Sequence, residues 1–399
     1  MKKKLLVVGG SYGDIPLIKE AKKLGFHVIT SGNNKKDLGH KFSDEHHLRD
    51  FSDQEAILKL ARSLNIDYIV PSCHDLSMIS CSYVAETLGL PGYDSYETVL
   101  DLHHKDRFRR IAKDMNLMSP KAFSFDSVVK AKKSCNIVPI PCIIKPIDLG
   151  GGKGITIVKD KDNLNKAIDY AFEYSKANAV VIEEFVKGSL HSFSSFIYDK
   201  KVVFFFGDNE FSSVNPYGVS ISSSPSFNID LVKNKLISEI EKIAKEYNLS
   251  NGLLHMQYLL DNDNISIIEF TRRMPGDWYS IPVELSTGIN HAYWTLQGFL
   301  DGDFSKLEQN KQKGFYSRHC VMAFENGRIE DLYIDESIKG NIVNSYIWID
   351  EYSKVDDFLY QKFGLVFLEY KTISDMIEKI KNIDNLIKVK IKKDEIQYN

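Results

Sequence analysis

The stretch PCIIKPIDLGGGKGITIV, Pro141 to Val158, decides how the rest of the chain is read. Three apolar residues, Cys142, Ile143 and Ile144, form a short strand that ends in Lys145. A loop holding Gly150, Gly151, Gly152, Lys153 and Gly154 follows, and Ile155 to Val158 is a second, β-branched strand. Glycines let the backbone turn at positive φ and let amide N–H groups approach an anion with no Cβ in the way. A lysine just before such a loop points to a polyphosphate. The Walker pattern does not fit, because Lys153 is followed by Gly154 and a strand comes next, not a helix. Taken alone, the stretch also reads as an ordinary glycine-rich hairpin with a solvated lysine.

Composition narrows the choice. A chain of 399 residues exceeds one ordinary core and predicts two or three domains. A formal net charge of −3 argues against a nucleic-acid-coating protein, which would carry a basic surplus. Cys73, Cys81, Cys135, Cys142 and Cys320 form no CxxC pair, so neither a disulfide framework nor a zinc site is expected. The apolar run Leu5 to Val8 is too short for a signal peptide, and no later run is long enough to span a bilayer. A cytoplasmic protein with no membrane partner is expected.

From the N-terminus, the strand Leu5 to Val8, a helix from Ile15 to Leu24, the strand Phe26 to Thr30, a helix from Ser52 to Leu64 and the strand Tyr68 to Val70 alternate. That order predicts a doubly wound parallel sheet over residues 1–94. Gly9-Gly10-x-x-Gly13 lacks the GxGxxG spacing of dinucleotide binding and reads as a tight turn. One basic helix is expected from Ser95 to Met115, with Lys105 on its inward face. Two hairpins follow, Ser192–Tyr198 with Val202–Phe206 and Gly252–Leu260 with Ile265–Phe270. His46-His47, His103-His104 and His191 lack the spacing of a metal site.

Four features stand in fixed order. Lys105 precedes the glycine stretch, Lys145 ends a strand before it, Glu183-Glu184-Phe185-Val186 ends another strand, and Glu269-Phe-Thr-Arg272-Arg273 ends a hairpin. This order over Ser95 to Leu300 resembles the ATP-grasp superfamily. The N-terminal unit resembles the domain that precedes the ATP-grasp fold in biotin carboxylase, carbamoyl-phosphate synthetase and amino-acid ligases. The resemblance implies an α/β and α+β architecture. It places a pre-ATP-grasp domain at 1–94, an ATP-grasp domain at 95–310 with a mobile lid at about 120–187, and a small mixed closing domain at 311–399.

The same resemblance assigns roles. Lys105 and Lys145 would meet the α- and β-phosphates, and Gly150 to Gly154 would form a lid over the β/γ-phosphates. Glu183 or Glu184 would accept the adenine amino group, the Val186 backbone would meet the ring, and His191 would lie beside the ribose. The family's paired glutamates and asparagine fall on Gln257, Glu269 and Thr271, so one formal charge is missing from the cradle for magnesium, or manganese in its place. Arg273 matches the motif's arginine, and Arg272 with it could stabilise a carboxylate and the acyl phosphate made from it.

The implied activity is an ATP-dependent ligase that joins a small-molecule carboxylate to an amine, most like the amino-acid and dipeptide ligases. A bicarbonate-activating enzyme and a non-catalytic ATP-binding module, the latter motivated by Gln257 and Thr271, are the alternatives. Phe211 to Ser226 is expected to line the acceptor pocket, and a homodimer is compatible with the sequence.

Overall fold

The computed structural model describes residues 2–134, 136–149 and 152–392. Among these, the first unit is a parallel sheet ordered Glu45–Leu48, His27–Gly32, Lys4–Val8, Tyr68–Pro71. Helices Ile15–Lys23, Gln54–Leu64 and Asp75–Leu88 cover it. Leu6, Val8 and Ile29 from its strands pack with Ile57, Leu58 and Val84 from the helices, which is why these strands read as continuous apolar runs. The edge strand Glu45–Leu48 (EHHL) falls in a segment whose sequence reads as polar loop. It carries no apolar alternation, and its parallel pairing with Ile29–Gly32 alone defines it.

Gly9 and Gly10 make the tight turn expected of them. A Cβ on Gly9 would stand 2.3 Å from Ser72 Cβ, and one on Gly10 would stand 2.1 Å from the His40 ring. The turn is filled by protein atoms, and Asp14 accepts the Gly10 and Ser11 amides at 3.0 and 2.9 Å.

The expected single helix over Ser95–Met115 is two helices, Tyr96–His103 and Lys105–Asp114. His104 between them has extended backbone (φ −86°, ψ 124°), and the Lys105 amide bonds to the Ile147 carbonyl. That partner lies in the glycine-loop segment, so the break depends on a contact distant in sequence.

The lid is an antiparallel sheet ordered Ala122–Phe125, Val180–Glu184, Cys142–Pro146, Thr156–Val158, backed by helix Leu164–Tyr174. The largest sheet has eight strands: Asn264–Thr271, Gly252–Asp261, Ser189–Tyr198, Lys201–Phe211, Ile221–Ser224, Phe315–Val321, Gly364–Tyr370 and Ile342–Ile347. Helix Ile229–Glu246 packs Val232, Leu236, Ile240 and Ile243 against one face of this sheet. Both expected hairpins are present, each longer than its apolar core. The strand Phe315–Val321 pairs with Ile221–Ser224, so the central sheet runs unbroken across the boundary expected at 310/311. The fold is the expected α/β and α+β arrangement.

Candidate active site

The strand Cys142–Pro146 is central in the lid sheet, and its neighbour Val180–Glu184 places Lys145 beside Glu183. Lys145 Nζ lies 2.8 Å from Glu183 Oε2, and Arg109 Nε lies 2.8 Å from Glu183 Oε1. All three side chains are buried. Burial raises the Glu183 carboxyl, but Arg109 and Lys145 outweigh it and hold the group at about 2. Burial lowers the Lys145 ammonium against the pull of Glu183, with Arg109 adding to the lowering. Two cations and one anion leave a single net positive charge, withdrawn from water and suited to a phosphate.

Lys145 and Glu183 open onto a cavity of about 420 Å³. Ile143, Leu190, Leu259 and Ile268 give it apolar walls, and Glu184, Phe185 and Val186 form its rim. A flat aromatic heterocycle fits such a slot, with its polar edge against the rim. Glu184 lies at the rim as expected and accepts the Lys121 amide at 2.9 Å. Glu183 is committed to Lys145 and Arg109, which leaves Glu184 as the rim carboxylate.

Lys105 Nζ donates to the Leu149 carbonyl at 2.6 Å, so this second lysine sits at the root of the glycine loop. Gly150 and Gly151 lie outside the described residues. Gly152 has φ +84°, and a Cβ there would stand 2.7 Å from Tyr217 Cβ. Lys153 Nζ rests 4.9 Å from the centre of the Tyr360 ring, and the Ile157 amide donates to Tyr217 Oη at 3.3 Å. Gly154 has φ +70° and lies against Pro146 and Tyr174. The lid therefore leans on Tyr217 and Tyr360.

Those two tyrosines also line a second cavity of about 350 Å³, with Tyr12, Gln257, Glu269, Asp277 and Lys362. Asn215 and Tyr217 to Ser220 of the expected acceptor segment form part of its wall. Asp277 accepts from Tyr12 Oη and from Lys362 Nζ, both at 2.7 Å. Burial pushes the Asp277 carboxyl up, but Lys362 and Arg318 hold it well below the ordinary carboxylate range. Asp277 and Trp278 both have φ +55°, a left-handed conformation that non-glycine residues rarely adopt. The cavity thus joins the first sheet, the loop after the second hairpin and the C-terminal strands.

Between the cavities stands the expected metal cradle. Glu269 and Gln257 are register partners, and Thr271 faces His255 two pairs on. Thr271 Oγ1 accepts the Arg273 amide at 3.3 Å. Gln257 Nε2 donates to Glu210 Oε2 at 2.5 Å. Glu210 also lines the nucleotide-sized cavity. Its carboxyl is pushed up to about 8, by burial and then by Asp208, and Asp208 itself is pushed up to about 6 by burial. The Asp208-Asn-Glu210 pair, which breaks the apolar run Val202 to Phe206, was the available signal for this wall.

Two expected site residues serve elsewhere. Arg272 Nε pairs with Asp94 at 2.7 Å, and its terminal nitrogens donate to the Leu253 and Ser250 carbonyls at 2.6 and 2.7 Å. Its donors are used in fastening the first unit to the hairpin, so it is a structural arginine. His191 lies on the helix-covered face of the sheet, stacked on Tyr258 and bonded to Ser189 and Ser226. Its neighbour Leu190 faces the cavity instead, as strand alternation requires. Burial holds the His191 imidazole down at about 4. Arg273 stays beside the site, held by both oxygens of Asp75 at 3.1 Å, and Asp75 also accepts from His103 at 2.9 Å. Arg109, Glu210 and Asp75 are the side chains that motif order did not bring out.

Residues 104–297 match the family described as carbamoyl-phosphate synthase L chain, ATP binding domain. The chain is 26% identical over 313 residues to the formate-dependent phosphoribosylglycinamide formyltransferase of Prochlorococcus marinus (strain MIT 9301), covering 75% of this chain and 76% of that one. The counterpart in Methanocaldococcus jannaschii is 24% identical over 186 residues, 46% of this chain and 48% of its own length. Several of the curated relatives it matches are thus spanned over about half their length. Among solved structures, the L-amino acid ligase from Bacillus licheniformis superposes with a TM-score of 0.80 at 17% identity, over 98% of this chain and 99% of that one. The phosphoribosylglycinamide synthetase from Anaerococcus prevotii gives 0.75 at 20% identity, over 98% and 100%. At these identities the superpositions establish the shared fold.

Proposed function

We propose that this chain is an ADP-forming carboxylate–amine ligase of the ATP-grasp kind, like the proteins its residues 104–297 and its fold resemble, and that its reaction runs across the wall between the two cavities. ATP lies with its base in the apolar slot, edge-on to Glu184 and Val186, and its phosphates pass Lys145 and Lys105 toward Glu269. A substrate carboxylate in the second cavity attacks the γ-phosphorus, giving an acyl phosphate and ADP. An amine then adds to the acyl carbon, loses a proton and expels inorganic phosphate. No side-chain nucleophile is required, and the chain's contribution is placement and charge stabilisation. Arg273, fixed by Asp75 and within the field of Glu269, offers a cation for the developing charge.

The donor set fits a magnesium ion completed by phosphate oxygens. Glu269 and Gln257 face one another, and Asp208 Oδ2 is buried with no protein partner. Among the described residues no group of three or more His, Cys, Asp or Glu side chains is placed to hold an ion unaided. When bound, magnesium supplies neutralisation of the phosphate charge. Manganese is the expected substitute. Residues of one chain line both cavities. No described helix is long and apolar enough to cross a membrane. Cys73, Cys81 and Cys320 are free thiols, which is compatible with the cytoplasmic location expected from the sequence.

The observation that carries this reading is the shared wall: Glu210 lines the nucleotide-sized cavity, while its hydrogen-bond partner Gln257 lines the other. An acid of amino-acid size fits the second cavity of about 350 Å³. Formate is a second reading, favoured by the alignment over three-quarters of the chain to a formate-dependent enzyme. Coupled ADP release with α-amino acids, formate and bicarbonate, each with and without a panel of amines, separates these. Release that requires one acid and one amine is the expected result. ATP binding with no acid-stimulated release overturns the ligase reading.

A further inference from the structure

Resting on the ATP-grasp reading, we propose that Glu210 supplies the carboxylate that Gln257 lacks, so that the cation cradle is Glu269, Gln257 and Glu210 and keeps two negative charges. Three buried carboxylates elsewhere are matched to cations, Glu183 to Lys145 and Arg109, Asp94 to Arg272, and Asp277 to Lys362, while buried Asp14 is met by the Gly10, Ser11 and Cys73 amides. Among the described residues, Glu210, Asp208 and Glu269 have no Lys, Arg or His nitrogen within 4.0 Å. Glu210 and Asp208 are nonetheless 8% and 1% exposed. Asp208 Oδ2 has no hydrogen-bond partner, and neither has Nε of the nearby Arg318, which is 3% exposed. A carboxyl withdrawn from water with no cation touching it stays neutral until a bound cation supplies its counter-charge.

Register explains how Glu210 reaches the cradle. Asp208 pairs with Ser192, and Ser192 pairs with Gln257, so one cross-sheet row runs from the metal position to Asp208. Glu210 is two residues further along the same strand face and bends back to accept the Gln257 amide at 2.5 Å. A carboxylate only accepts, so this bond turns Gln257 Nε2 toward Glu210 and leaves Oε1, the amide's acceptor atom, for another partner. Glu210 thus adds charge at the cradle and orients the neutral side chain that stands where the charge is missing. Its place on the nucleotide cavity wall puts that charge beside the incoming phosphates.

Mn²⁺ titration of the ADP-loaded full-length protein, followed by electron paramagnetic resonance, tests this without turnover. Glu210→Gln is expected to weaken Mn²⁺ about tenfold or more, while ADP still binds in EDTA. The exchange Glu210→Gln with Gln257→Glu is expected to restore Mn²⁺ affinity to within about threefold of the parent. Unchanged Mn²⁺ affinity in Glu210→Gln, or no recovery in the exchange, overturns the proposal. If Glu210→Gln does not fold, Gln257→Glu alone decides: a carboxylate added beside Glu210 tightens Mn²⁺, and no change or a loss overturns it. Failure of the parent protein to bind ADP in EDTA would instead overturn the nucleotide reading, which separates the two.

Discussion

Two groups of charge meet at the nucleotide-sized cavity. On the lid side, Lys145, Glu183 and Arg109 close on one another at 2.8 Å and leave one net positive charge. On the central-sheet side, Glu210 meets Gln257 and the field of Asp208 with no cation in contact. The first group is assembled before any ligand arrives, because each desolvated charge already has its partner. In the proposed cradle, the second group gains its balance when a cation joins it. The difference teaches where preorganisation ends in this site: the anion receptor is built in, and the cation receptor is half built.

The largest effect that could break this contrast comes from Lys145→Ala. It removes the net charge of the lid-side group but leaves Glu183 paired to Arg109, so the protein should fold. ADP formation is expected to fall about 10³–10⁵-fold, measured as kcat/KM for ATP. Full activity would mean that the paired group is scaffold only. Arg272→Ala probes a pair that is structural. It strands Asp94 in the interior and should cost about 3–5 kcal/mol in urea unfolding, with ADP affinity retained in the folded fraction. A loss of ADP affinity without loss of stability would return Arg272 to the site.

The smallest effect concerns polar groups buried without charge. His191 is held at about 4 against an ordinary 6.5, so the unfolded chain takes up a proton first as the pH drops. Its contribution to stability is complete above pH 6.5 and is lost between about 6.5 and 4. Between pH 7 and 5 that loss should be about 2 kcal/mol, and His191→Asn should abolish it while leaving ADP affinity unchanged. A weakened ADP complex would restore the ribose-side role that strand alternation removes.

What could be read from the sequence follows the range of the forces involved. Three of the parallel strands, Lys4–Val8, His27–Gly32 and Tyr68–Pro71, and both hairpins are marked by local periodicity and turn residues, and they appear where expected. The break at His104 is set by the Ile147 carbonyl, and no local signal in a basic helical run announces it. Arg272 and Arg273 are adjacent and chemically identical, yet one finds Asp94 and the other Asp75, a choice made by tertiary placement. His191 was assigned by its position in the motif order, while the alternation Leu190 in, His191 out was available in the strand itself. Glu210 shows up only when the strand Lys201–Phe211 is laid beside Ser189–Tyr198 and its far neighbour Gly252–Asp261. The joining of Phe315–Val321 to the central sheet is likewise a pairing that no local pattern specifies.

The lid's resting place has a consequence for anyone who would retune this enzyme. Gly152 and Ile157 lean on Tyr217, and Lys153 leans on Tyr360, yet both tyrosines are walls of the second cavity. Reshaping that cavity for a different acid at either tyrosine also reshapes the seat on which the ATP lid closes. If the second cavity holds the acid as proposed, substrate range and commitment of ATP are coupled at these two tyrosines. A variant selected for a new acid at Tyr217 or Tyr360 will carry a change in wasteful ATP hydrolysis with it, while changes at Val219 or Met322, which line the same cavity, keep clear of both lid contacts.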